Sequence, residues 1–167
     1  AESIAARQVS GSLPFQKLVD RVCFENVHFN YGSSEISTLN DINLTLEKGK
    51  RIALVGPSGG GKSTLINILS GFYIPTSGSI SIDGVLLSDY DIHQWRRRIG
   101  LVEQSPFFFN ASVRDNLCFG IESVSEQKLW QSLDNAGARE FVEELEEGME
   151  TSIGDRGVRL SGGQKQR

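Results

Sequence analysis

Gly56-Pro57-Ser58-Gly59-Gly60-Gly61-Lys62-Ser63-Thr64 is the stretch whose residue types and spacing most directly specify chemistry. It fits the pattern G-x-x-x-x-G-K-[ST]. The glycines let the backbone curl so that successive N–H groups point at a phosphate chain. The positive end of a following helix adds to that attraction. Lys62 is then spaced to reach the β- and γ-phosphates, and the Ser63 hydroxyl to hold magnesium. The motif needs a strand before it and a helix after it. The apolar run Arg51–Val55 reads as that strand and Leu65–Leu69 as that helix. A glycine-rich surface turn ahead of a helix is the plain alternative, but it leaves the lysine–serine spacing unexplained. The stretch reads as a site for a nucleoside triphosphate.

A second stretch near the other end, Leu160-Ser161-Gly162-Gly163-Gln164-Lys165-Gln166-Arg167, decides which kind of nucleotide-driven machine this is. Ser-Gly-Gly strings alone are common in linkers. Following a phosphate loop, this one closely resembles the signature of ATP-binding cassette (ABC) ATPases. Three landmarks between the two also match that family. Phe29-Asn-Tyr31-Gly32 is similar to the loop whose aromatic ring stacks on adenine. Val102-Glu-Gln104-Ser-Pro106 is similar to the glutamine loop, and Thr151-Ser-Ile-Gly154-Asp155-Arg156-Gly157 to an exporter loop that contacts the transmembrane partner. The likeness runs from about Val22 to Arg167.

The resemblance implies an α/β P-loop NTPase fold of the ABC type, with a β-rich front subdomain, a phosphate-loop core and a helical subdomain. It implies ATP and Mg2+ as ligands. Tyr31 would stack on the base, and Gly56, Pro57, Ser58, Gly59, Gly60, Gly61, Lys62, Ser63 and Thr64 would cradle the phosphates. Ser63 and Gln104 would hold the metal, with Lys62 and Gln104 serving catalysis. Ser161, Gly162, Gly163 and Gln164 would cap the ATP of a second ABC domain in a head-to-tail pair. The exporter loop implies a transmembrane domain, fused or separate, and a place on the cytoplasmic face of a membrane. On that reading residues 1–20 are a linker from a preceding transmembrane domain, and 21–167 are a partial nucleotide-binding domain. A family member should continue past the signature with an apolar strand ending in Asp-Glu and a later histidine. Neither occurs up to Arg167, so the expectation is a C-terminally incomplete domain whose own hydrolysis is near background. The competing readings are a soluble ABC ATPase of the DNA-repair or translation type and a non-catalytic nucleotide-binding module.

The elements that must position these residues are read from periodicity. Val22–Phe29 is a strand whose imperfect alternation places a bulge near Glu25 or Asn26. Ile42–Leu46 alternates cleanly and leads into Arg51–Val55. After the loop, Leu65, Ile66, Leu69 and Phe72 are expected to line one helical face. Ser79–Ile82 and Val85–Leu87 form strands joined by a turn at Asp83-Gly84. Asp91 caps a short helix through Arg97, and Ile99–Val102 returns to the sheet. Ser112–Leu117 and Ser125–Ala136 read as helices, and a further helix is expected to open at Gln164.

Composition adds exclusions. At 167 residues and 38% hydrophobic, the chain has the content of one ordinary globular domain. A net charge of −4 argues against a general nucleic-acid surface, so His93-Gln-Trp95-Arg96-Arg97-Arg98 reads as a solvated or partner-docking helix face. Three successive aromatics, Phe107–Phe109, cannot all enter one core, so at least one is expected to be exposed or covered by another protein. Cys23 and Cys118 lie in no metal-binding pattern and read as reduced, half-buried residues.

Overall fold

The structure is a computed structural model that describes residues 10–32, 37–154 and 160–166. The chain divides into two compact units, Ala1–Gly100 and Leu101–Arg167.

The first unit is built on an antiparallel sheet. Strands β1 (Arg21–Phe29), β2 (Leu39–Glu47), β3 (Ser77–Ile82) and β4 (Val85–Leu86) lie in the order β2-β1-β3-β4. Val22 pairs with Leu46 and Phe24 with Leu44, and the register then shifts before Val27 meets Ile42. The shift falls at Glu25–Asn26, where Asn26 takes a φ of 47°. The extra residue lets Val22, Phe24, Val27 and Phe29 all face the core despite the broken period of two. Asp83 and Gly84 both have positive φ, which is the turn a two-residue hairpin requires.

Helix α1 (Lys62–Leu69) presses Thr64, Leu65 and Ile68 into this core. The expected apolar face is therefore rotated. Ile66 and Phe72 remain exposed, and Ile66 and Leu69 line a hollow of about 490 Å³ with Leu44, Leu46, Ile52 and Leu54. Helix α2 (Ile92–Arg96) is capped by Asp91, whose side chain accepts from the His93 N–H, and it ends one residue earlier than expected.

Residues 10–20 are stitched to the unit rather than leading freely into it. Gly11 N–H donates to Tyr90 O at 3.0 Å, Leu13 N–H to Asp89 O at 2.9 Å, and Asp91 N–H back to Leu13 O at 2.7 Å. Phe15 is buried edge-on between Tyr90 and Trp95, at centroid distances of 5.3 and 4.9 Å. The folded part thus begins ahead of the expected boundary at residue 20, because Phe15 has its own slot in the core. The Asp83 carboxylate accepts from three successive N–H groups, those of Val19, Asp20 and Arg21, at 2.8–2.9 Å. Burial pushes that carboxyl up, but these donors, with Lys48 nearby, more than offset it and hold it below the ordinary carboxylate range.

Two expected strands do not form. Arg51–Val55 and Ile99–Val102 pair with no neighbour among the described residues. Val55 is 92% and Val102 73% exposed. An apolar run becomes a strand only where another strand takes up its N–H and C=O groups, and none lies alongside here.

The second unit is helical. Helix α3 (Val113–Leu117) opens on a capping box in which Ser112 Oγ accepts from Asp115 N–H at 3.0 Å. Helix α4 (Glu126–Asn135) is capped by Ser125 and buries Leu129 and Leu133, one turn apart. Helix α5 (Arg139–Glu143) and a 3-10 turn at Gly148–Glu150 were not expected; they contribute Val142 and Met149 to a small core with Val113, Leu133, Ala138 and Ile153. Helix α6 (Gly162–Gln166) opens two residues earlier than expected. No described helix is long and apolar enough to cross a membrane. Both cysteines are free and half-buried, and among the described residues no three or more His, Cys, Asp and Glu gather as a metal-binding group.

Candidate functional site

The phosphate loop is formed by backbone shapes that only glycine takes easily. Gly59 has φ 77° and Gly61 φ 80°, and Gly61 caps the start of α1 in the left-handed region. A Cβ on Gly61 would lie 2.6 Å from Leu39 Cδ2 and 2.9 Å from Thr38 O, so the loop also packs too closely against β2 for any side chain. Gly60 N–H donates to Pro57 O at 3.2 Å, closing the bend over Ser58. The Lys62 Nζ turns back into the loop and donates to Gly56 O at 2.9 Å and Pro57 O at 2.6 Å. The ammonium of Lys62 thus lies inside the loop, at the positive end of α1. Ser63 is exposed on the first turn of α1, where its hydroxyl is open to a ligand.

Thr64 is different. It is buried, and its Oγ1 lies 3.0 Å from the Tyr31 hydroxyl. Tyr31 in turn sits edge-on to Phe29 and Tyr73, at 4.9 and 5.5 Å between centroids, while 42% of the residue stays exposed. The expected base-stacking ring is thus tied to the phosphate-loop helix itself.

The far end of α1 is held by α2. Trp95 Nε1 donates to Leu69 O at 2.7 Å, and the Arg96 guanidinium donates to Ser70 O and Gly71 O. These carbonyls have no partner within the helix, and the positive charge sits at its negative end. Arg96 also stacks over Phe72 at 4.9 Å. The expectation of a solvated face over 93–98 holds for His93, Arg97 and Arg98 but not for Trp95 and Arg96. No local pattern marks them, because their partners lie about 25 residues back along the chain.

In the second unit the structure brings Gln104 and the signature together. Gln166 Nε2 donates to Gln104 O at 3.2 Å, and Gln104 and Gly162 line one open hollow of about 490 Å³. Ser161 N–H donates to Gln164 Oε1 at 2.8 Å while Ser161 Oγ accepts from Gln164 N–H at 3.3 Å, a reciprocal cap. Gly163 follows Gly162 in the first turn. Phe107 and Phe109 are exposed and Phe108 is half-buried, as three aromatics in a row require. Phe109 stacks on Phe119 at 4.2 Å, extending the apolar patch. Gly154 is described, but Asp155, Arg156 and Gly157 lie outside the described residues, as do residues 1–9 of the lead-in.

A glycine-bent loop that opens a helix and carries an inward lysine defines a phosphate-loop protein. The ABC transporter family profile matches residues 39–167, and the chain belongs to that family. Its fold is the ABC type of P-loop NTPase. Over 158 residues it is 44% identical to the heterocyst differentiation ATP-binding protein HepA of Nostoc sp., covering 95% of this chain and 26% of that protein. It is 43% identical to ABC transporter B family member 1 of Dictyostelium discoideum, over 99% of this chain and 18% of that one. A bacterial Atm1-family ABC exporter solved with ATP bound superposes with a TM-score of 0.86 at 32% identity, over 95% of this chain and 28% of that one. The chain therefore spans between 18% and 28% of the length of these relatives.

Proposed function

We propose that this chain is nucleotide-binding machinery of an ABC exporter, taking up ATP at the phosphate loop to drive transport through a transmembrane partner. The observation that carries the reading is the Lys62 ammonium, held inside a glycine-bent loop at the mouth of a helix. The exporter assignment draws on the ATP-bound Atm1-family neighbour and on the transporter family itself.

Lys62 gives up its two carbonyl partners to the β- and γ-phosphates, exchanging neutral acceptors for charged ones. The N–H groups of the loop and of the first turn of α1 orient the chain of phosphates. Tyr31 offers its ring to the base. The Ser63 hydroxyl is a hard oxygen donor that would hold a magnesium ion, which would supply charge neutralisation along the phosphates, and the Gln104 amide oxygen is a hard donor of the same kind. Ser161, Gly162, Gly163 and Gln164 offer a second, weaker phosphate grip for the nucleotide of a partner domain. The exposed aromatic patch of Phe107, Phe109 and Phe119 fits a docking surface for the transmembrane part; on this reading the chain works at the cytoplasmic face of a membrane.

Lys62→Ala tests the reading. It removes a charge-assisted contact, so ATP affinity measured by equilibrium dialysis should fall roughly tenfold to a hundredfold. Undiminished ATP binding by the variant would sink the assignment.

A further inference from the structure

We propose that residues 10–15 form a strap whose closure is linked to nucleotide occupancy of the phosphate loop, the link running through α2 and along α1. The inference rests on the reading that the loop takes ATP, and it gives the lead-in a regulatory part in that site.

The strap lies over the connection from β4 into α2. Gly11 N–H donates to Tyr90 O, Leu13 N–H to Asp89 O and Asp91 N–H to Leu13 O, and Leu13 forms an isolated parallel bridge with Tyr90. Two further contacts reach α2 itself. Ser10 Oγ accepts from Ile92 N–H at 3.1 Å, and Phe15 N–H donates to Gln94 Oε1 at 3.1 Å. Ile92 is the first residue of α2, so Ser10 satisfies a donor that the helix leaves open. Gly11 lies so close that a Cβ there would stand 2.1 Å from Asp89 O. A segment that merely led into the sheet would need none of these contacts.

Phe15 carries the strap's grip inward. It is buried and meets Trp95 edge-on, and Trp95 Nε1 donates to Leu69 O on the last residue of α1. Arg96, next along α2, donates to Ser70 O and Gly71 O. Strap, α2 and the end of α1 thus each hold the next. From Leu69, α1 runs eight residues, about 12 Å, back to Lys62, whose ammonium sits in the loop. Packed side chains and a helix of that length pass a shift from one end to the other.

The strap is also the member of this series that can let go. Ser10, Ser12, Leu13 and Pro14 are exposed, and Phe15 is the one buried residue among 10–15. Segments held by few buried contacts open locally at low free-energy cost. Opening uncovers an edge of Trp95 and takes Ser10 from the Ile92 N–H, which loosens the clamp on α1. Phosphates seated on the first turn of α1 favour the arrangement in which that helix is held, and with it the closed strap.

Hydrogen exchange at the Leu13 and Asp91 amides reads strap opening on the full chain, and isothermal titration reads ATP affinity. Saturating ATP should slow exchange at both amides about fivefold. Gly11→Ala, which has no room for its methyl, should speed that exchange and weaken ATP binding by about the same fivefold, because linkage is reciprocal. Phe15→Ala should act alike by emptying the slot beside Trp95. Gly11→Ala spares the core, so the test stands even where Phe15→Ala does not fold. Strap exchange that saturating ATP leaves unaltered, while core amides slow as they do in any ligand-stabilised fold, overturns the proposal. ATP binding that is lost in Lys62→Ala but unchanged in the strap variants overturns it too and leaves the nucleotide site standing. A wild type that takes no ATP overturns both.

Discussion

Two helix starts in this chain carry glycines and a hydroxyl, and they are built on different terms. At the phosphate loop the chain's own geometry demands glycine: Gly59 and Gly61 take positive φ, and Gly61 has backbone and Leu39 where a side chain would go. Helix α1 buries Thr64, Leu65 and Ile68, and its far end is held by Trp95 and Arg96. At the signature, α6 buries nothing, neither Gly162 nor Gly163 has positive φ, and among the described residues a Cβ on either would meet nothing within 4 Å. A glycine required by its own fold and a glycine with no such requirement look alike in sequence. The loop's shape is thus fixed before any ligand arrives, whereas on the proposed reading the signature's glycines answer to something that approaches from outside.

Gly61→Ala should produce the largest effect on this contrast. Left-handed backbone strain and overlap with Leu39 and Thr38 together cost roughly 3 kcal/mol. The denaturant midpoint should drop accordingly, and nucleotide retention should fail with it. A variant as stable as wild type would show that the loop relaxes, and the two sites would then differ far less than their geometry implies.

Trp95→Phe probes the support at the other end of α1. It leaves Leu69 O without its donor in a part-buried setting, which costs about 1 kcal/mol. If the support matters to the site, ATP affinity should weaken as well, although Trp95 holds the end of α1 opposite the loop. Hydrogen exchange along α1 reads this directly: faster exchange confined to the residues near Leu69 would mean that the clamp stabilises the fold without shaping the site.

Why the loop was legible and its supports were not follows from range. The hairpin turn at Asp83-Gly84, the bulge at Asn26 and the caps at Asp91, Ser112 and Ser125 are local chemistry, written in two to four neighbouring residues. The phosphate loop is equally local. The Tyr31–Thr64 contact and the Trp95 and Arg96 clamps join residues 25 to 33 apart, and no spacing rule points to them. Helix α5 was hidden because it is short and the residue before it, Ala138, offers no capping side chain. The apolar runs at Arg51–Val55 and Ile99–Val102 misled for another reason. Their composition records a demand for burial, but strand formation needs partners that composition does not supply.

Gly162→Ala should have the smallest effect on the chain and is the sharpest test of the comparison. Position 162 is the first residue of α6, its backbone is helical, and the space around it is open among the described residues. Stability should therefore move by less than about 0.5 kcal/mol, and helix propensity tips the sign toward stabilisation. ATP uptake at this chain's own loop should stay at the wild-type level, because no part of α6 belongs to that loop. On the proposed reading the added methyl would instead crowd a partner's phosphate at the backbone, so ATP-dependent pairing, followed by sedimentation, should be weakened or lost. Normal pairing in the variant would leave the signature glycines without a role at an interface. A stability loss above about 1 kcal/mol would show that this glycine answers to the chain's own fold, and the contrast with Gly61 would disappear.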